Sequence, residues 1–197
     1  METVIHKDER GSHSKFFTRH AADEVDFKGV HEVFMTTNNK GTLRGLHRQF
    51  GEGVTQQKIV IPTNGSFNVR MVLPLADVGE KVFVFFIENY NRQIEQITIS
   101  PDYLSVYYDN VTPGNDPIFV PAGAYLGYVA LEDNSKMLYV GDNDFNNEAD
   151  DGRNPFSLDI DWGYDGPMTI SNRDKGAPYL VSSSDDDFPQ TLEQSKY

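Results

Sequence analysis

Apolar residues in this chain come in short runs, and turn-forming residues cut each run before it reaches helix length. Residues 66–75 set the pattern. Phe67, Val69, Met71, Leu73 and Leu75 recur with the two-residue period of a strand that buries one face. Segments 42–50, 57–62, 81–88, 93–100, 104–108, 117–121, 125–131 and 135–140 read as further strands. Thr63-Asn64-Gly65, Asp77-Val78-Gly79, Pro113-Gly114-Asn115-Asp116 and Glu132-Asp133-Asn134 supply the turns between them. No long segment carries a 3.6-residue period, and no internal repeat is found. Many short strands in 197 residues point to one all-β domain, a sandwich or barrel, with a jelly roll the commonest solution at this size. That domain is expected over residues 1–180. Residues 181–197 include Ser182-Ser183-Ser184-Asp185-Asp186-Asp187, too polar to order itself by burial, and read as an acidic tail.

Charge and composition narrow the function. The formal net charge is −13, which disfavours a nucleic-acid partner. The acidity is uneven: residues 1–58 hold nine Lys or Arg against eight Asp or Glu, so an anionic ligand would find its cations in the first third. With 0 Cys, disulfides, thiolate metal sites and a cysteine nucleophile are excluded. No apolar run has the length of a membrane span, and the opening METVIHKDERG lacks the apolar core of a secretory signal. A cytoplasmic location with no membrane partner is expected.

The densest polar segment is Lys40-Gly41-Thr42-Leu43-Arg44-Gly45-Leu46-His47-Arg48-Gln49. As a regular strand it would turn Arg44, Leu46 and Arg48 one way, and Leu43, Gly45, His47 and Gln49 the other. Gly45 leaves room beside His47, and Lys58 follows on the next strand after the Gly51-Glu52-Gly53 loop. A histidine and a lysine on adjacent strands facing one cavity would supply a base and a cation. Taken singly, each has a structural reading. A second segment, Pro121-Ala122-Gly123-Ala124-Tyr125-Leu126, forms a Pro-x-Gly corner opening a strand. His6, His13, His20 and His31 have irregular spacings and read as surface residues rather than metal ligands.

In order, Thr42 to Gln49, then Lys58, Val120-Pro121-Ala122-Gly123, Leu138-Tyr139, Asp159-Ile160-Asp161-Trp162 and Ser171-Asn172-Arg173-Asp174-Lys175-Gly176-Ala177-Pro178 resemble the dTDP-4-dehydrorhamnose 3,5-epimerases and their sugar-nucleotide relatives. The resemblance covers roughly residues 8–180. It implies a cupin-type jelly roll, a homodimer and a nucleotide-sugar substrate, most simply dTDP-linked. The implied activity is epimerisation at C3, C5 or both of a 4-keto-6-deoxy sugar through an enolate. Carried over by motif, His47 is the base, Asp174 its carboxylate partner, Lys58 the support for the enolate and Tyr139 the acid. Arg44 and Gln49 fall on positions near the diphosphate, and Arg10 on one near the nucleotide. Without the resemblance, Tyr139 reads as a core aromatic and Asp174 as a loop cap. Two further readings stand beside the epimerase: a non-catalytic cupin that binds an anionic ligand, and a keto-sugar isomerase using the same enolisation.

The chemistry explains the residue types. Neutral imidazole, with an unperturbed pKa of about 6.5, can remove a proton beside a ketone, and a carboxylate on its far nitrogen fixes the tautomer. A preplaced ammonium near the ketone oxygen is worth roughly 3–4 kcal/mol as charge develops. Neither a redox cofactor nor a metal is required. Gln49 and Leu126 also stand where metal-binding cupins carry imidazoles, which disfavours a mononuclear metal site. Several positions depart from the family pattern: Leu126 for a usual His, Phe145 for a second Tyr, Ser12 to Lys15 for an aromatic and an acid, and Met71 to Pro74 for Val-Asp-x-Arg. About twenty extra residues lie between Lys58 and Pro121, read as an added hairpin at 85–115.

Overall fold

In the computed structural model, which describes residues 4–16, 27–77, 82 and 93–182, the alternating segments become the strands of two facing antiparallel sheets. The described strands are β1 (Val4–Asp8), β2 (Gly11–Lys15), β3 (Glu32–Asn38), β4 (Thr42–Gln49), β5 (Lys58–Asn64), β6 (Phe67–Pro74), β7 (Gln96–Ile99), β8 (Tyr103–Val111), β9 (Ile118–Val120), β10 (Tyr125–Ala130), β11 (Ser135–Gly141), β12 (Asp150–Gly152) and β13 (Thr169–Ile170). A 3-10 turn at Ser157–Asp159 and one short helix, α1 (Asn172–Lys175), complete the described elements.

The larger sheet runs β12-β4-β10-β6-β8-β7, with β13 added in parallel beside β4. The smaller runs β3-β11-β5-β9. Between them lies the main core, in which Phe67, Val69, Met71 and Leu73 of β6 meet Val60, Met137 and Tyr139 of the smaller sheet. The expected alternation of β6 is therefore observed. Its opposite face carries Asn68, Arg70 and Val72, and this face is also covered. Asn68 Nδ2 donates to the carbonyls of Trp162 and Gly163, and Arg70 Nε donates to that of Asp161. Trp162, Ile160 and Leu180 pack there with Leu43, Leu46 and Val129 as a second apolar cluster. Covered on both faces, β10 is buried along its whole length, as a central strand of near-continuous apolar residues should be.

Several elements were not anticipated. β3 escapes the alternation test because Val33, Phe34 and Met35 are all at least 40% exposed, which leaves no clean buried face in its pattern. β12 and β13 have only three and two residues and exist through pairing with β4, which no local signal announces. β7 and β8 form a hairpin at one end of the larger sheet. The remainder of the hairpin expected at 85–115 begins outside the described residues, as do the segment 81–88 apart from Val82 and the tail from 183 onward.

Candidate active site

The strand that carries His47 does not alternate regularly. Against β10, Arg44 is opposite Tyr128 and His47 opposite Leu126, so three steps on β4 match two on β10. This bulge places the extra residue at Gly45 and Leu46. Gly45 takes φ +120, and a Cβ there would lie 2.5 Å from the Gly127 α-carbon, so only glycine allows the two strands this approach. The consequence corrects the expected facing. Leu43 and Leu46 both join the outer cluster, while Arg44 and His47 turn inward. Arg44 therefore belongs with His47 rather than with Arg48.

Arg48 faces outward, its guanidinium stacked over Phe50 at 4.4 Å and Tyr125 at 4.3 Å. It is paired with Asp77 and, at 3.0 Å, with Asp151. Asp151 also accepts from the Tyr125 hydroxyl and from Arg153. Chiefly through burial, the Tyr125 phenol is pushed up to about 12. This network locks β12 against the back of β4.

On the inner side, His47 Nε2 lies 2.7 Å from Asp174 Oδ1. Facing a carboxylate, Nε2 is the protonated nitrogen and donates, which leaves the Nδ1 lone pair free to accept a proton. The imidazole is 31% exposed while the carboxylate side chain is only 5% exposed, so the imidazole is presented and its partner is sheltered. Burial alone would raise the Asp174 carboxyl, but hydrogen bonding and charge from His47, with help from Ser171 and the Gly45 backbone, hold it below the usual carboxylate range. Ser171 caps α1, its Oγ accepting from the Asp174 N–H at 3.0 Å.

The smaller sheet supplies the facing groups. Lys58 begins β5 on the face that carries Val60 into the core, and it pairs in register with Gly141 of β11. Burial pulls its ammonium below the ordinary value of 10.5, against the opposing charges of Glu32 and Asp150. Asp150 in turn binds Arg173 at 2.7 Å. A Cβ on Gly152 would lie 3.3 Å from that guanidinium and 3.5 Å from the His47 ring, so Lys58, Asp150, Arg173 and His47 form one continuous polar rim. Arg173 and Asp150 were not singled out in the sequence. Adjacency to Asp174 could have flagged Arg173, whereas nothing local marks Asp150.

Tyr139 is buried and stacks on Phe34 of β3, ring centroids 4.4 Å apart and planes at 6°. Burial pushes its phenol well above 10, reinforced by Tyr128 and opposed by Thr36 and Arg44. Arg44 Nε donates to Asn38 Oδ1 at 2.8 Å, which fixes the guanidinium beside this cluster.

Two expected ligand positions sit differently. Gln49 is buried, and its amide is used by loop backbone: Nε2 donates to the Val54 and Asp144 carbonyls, and Oε1 accepts from Asn146 N–H. In this conformation it anchors loops rather than presenting donors to a ligand. Arg10 is exposed in the turn between β1 and β2, paired with Asp8, on a recess of about 330 Å³ that also takes in His13. Leu126, opposite His47, adds an apolar wall beside the imidazole. Phe145 is 60% exposed on a loop. Among the described residues, no group of three His, Asp or Glu is placed to hold a metal.

Comparison with known proteins agrees with this architecture. The model of the dTDP-4-dehydrorhamnose 3,5-epimerase family matches residues 97–182. Among solved structures, an RmlC epimerase of Mycobacterium tuberculosis is similar over 91% of this chain and 82% of its own, at 26% identity and a TM-score of 0.68. A dTDP-4-dehydrorhamnose 3,5-epimerase of Elizabethkingia anophelis matches over 95% of this chain and 91% of its own, at 22% identity and a TM-score of 0.67. A 3'-monoepimerase of Streptomyces bikiniensis, solved with dTDP-quinovose, matches over 91% and 81%, at 22% identity and a TM-score of 0.68. The latter two carry the likeness of fold. No curated protein sequence matches.

Proposed function

We infer that this chain, a divergent member of the dTDP-4-dehydrorhamnose 3,5-epimerase family, is an isomerase that inverts carbon beside the ketone of a nucleotide-linked 4-keto-6-deoxy sugar. The observation that supports this most is the imidazole–carboxylate pair, 2.7 Å apart, whose imidazole stands on one sheet while the lysine and the phenol stand on the other.

The reaction follows from that arrangement. His47 Nδ1 takes the proton from the carbon beside the ketone, and Asp174 stabilises the imidazolium that forms. Negative charge moves onto the ketone oxygen, where the Lys58 ammonium lowers its energy. Tyr139 then delivers a proton to the opposite face of the carbon, and the carbonyl re-forms. Arg44 and Arg173 provide positive charge for the diphosphate. The working protein is a homodimer, and its nucleotide is most simply dTDP.

Incubation with a dTDP-linked 4-keto-6-deoxyhexose in heavy water tests the reading. Deuterium is expected at C3 or C5 of an epimerised product. His47→Asn is expected to abolish incorporation, while Tyr139→Phe is expected to lose epimer but keep exchange. Tight binding with no exchange on dTDP-, GDP- or CDP-linked keto sugars would instead mark a binding protein. Incorporation at the wild-type rate in His47→Asn would move the base elsewhere.

A further inference from the structure

A second phenol reaches the neighbourhood of the proposed acid. Tyr128 of β10 is almost wholly buried, its ring edge-on to Phe67 at 5.2 Å. Its hydroxyl lies 2.8 Å from Thr36 Oγ1 and donates at 3.4 Å to Asn38 Oδ1. Thr36 stands two residues from Phe34 on β3, the same face of the strand that stacks on Tyr139. Tyr139, stacked on Phe34, is thereby brought beside this pair, and the Tyr128 and Thr36 hydroxyls act on its phenol in opposite directions, Tyr128 raising it and Thr36 lowering it. Asn38 ties the far end down: its Nδ2 donates to Thr36 Oγ1 at 3.2 Å and to the Ser135 carbonyl at 3.1 Å, and its Oδ1 accepts from Arg44. Three side chains, Tyr128, Thr36 and Asn38, thus stand between the proposed acid and a guanidinium. A hydroxyl placed in this core is costly to bury without such partners.

We propose that Tyr128 is a positioning residue for the reprotonation half of the reaction, holding the Tyr139 hydroxyl toward the substrate carbon and hydrogen-bonding the phenolate left when its proton departs. This rests on the epimerase reading above. In that step the Tyr139 O–H bond breaks, its electron pair stays on the phenolate oxygen, and the enolate pair forms the new C–H bond as the ketone returns. Solvent restores a proton to Tyr139 and takes one from His47. Tyr128 and Thr36 hydroxyls turn toward the phenolate, and Arg44, through Asn38, favours the charge. The deprotonation half uses His47 and Asp174, which share no hydrogen bond with Tyr128.

The two halves separate in one experiment. With a dTDP-linked 4-keto-6-deoxyhexose in heavy water, exchange with retention reports deprotonation, and epimer reports protonation from the opposite face. Tyr128→Phe is expected to leave exchange within about twofold of wild type. Epimer formation is expected to fall roughly ten- to hundredfold, the scale of a lost hydrogen bond to a charged group. Thr36→Val, which alters the cluster from the other sheet, is expected to shift the ratio in the same direction and serves if Tyr128→Phe does not fold. An unchanged ratio of epimer to exchange in the folded variants would overturn the proposal, whether both rates fall together or neither does. A wild-type protein that neither exchanges nor epimerises would overturn the epimerase reading itself.

Discussion

The proposed acid and the proposed cation have been moved in opposite directions by the same burial. Lys58 is pulled below its ordinary value, while Tyr139 is pushed well above its own. The phenol therefore remains protonated across the range in which the ammonium is lost. The alkaline limb of kcat/KM is expected to begin below 10.5 and to report Lys58; it should disappear, at a lower overall rate, in Lys58→Met. Stability should respond with the opposite sign. Between the lowered native value and 10.5 the unfolded chain binds the extra proton, so wild type gains stability relative to Lys58→Met as pH rises through that window. Urea titrations of both proteins across the same range check this. The residues themselves were mostly legible, since the ordered string from Arg44 through Asp174 named both members of the 2.7 Å pair. What could not be read was how each side chain is used. Gln49 sits in a ligand-like motif but spends its amide on loop carbonyls, and Tyr128 looked like one more aromatic in a core strand.

Among elements, α1 is one of the shortest and holds the sheltered carboxylate. With only four residues it has no stability of its own, and it stays in place through the Ser171 cap and the Arg173–Asp150 ion pair. Ser171→Ala is expected to lower stability by about 1 kcal/mol. It should also lower kcat a few-fold with little change in KM, because the carboxylate rather than the substrate contacts is loosened; chemical denaturation and steady-state kinetics measure the two. β6 was legible from its two-residue period, and β10 from a short apolar run bounded by turn residues. β4 was legible as a strand, but its facing was not. One extra residue near Gly45 reverses the side on which Arg44 lies, and such a bulge depends on the partner strand.

For the whole molecule, the arrangement leaves two surfaces short of partners. β3 ends the smaller sheet with Val33 56% and Met35 52% exposed. Among the described residues, β1 and β2 pair only with each other, and a lone two-stranded hairpin is marginal in water. Light scattering on a sizing column is expected to give a dimer of the 22.3 kDa chain. Val33→Lys with Met35→Lys should shift it toward monomer. With −13 on each copy, added salt should tighten rather than loosen the association.

The dyad also ties together distant parts of the polypeptide. His47 and Asp174 are 127 positions apart, and the later residue arrives on a segment that docks beside β4 through β13 and the Arg173–Asp150 ion pair. On the proposed reading, a growing chain carries His47 well before Asp174 has been made, and until then nothing orients its imidazole. On that reading, turnover would report that these two distant segments have found each other.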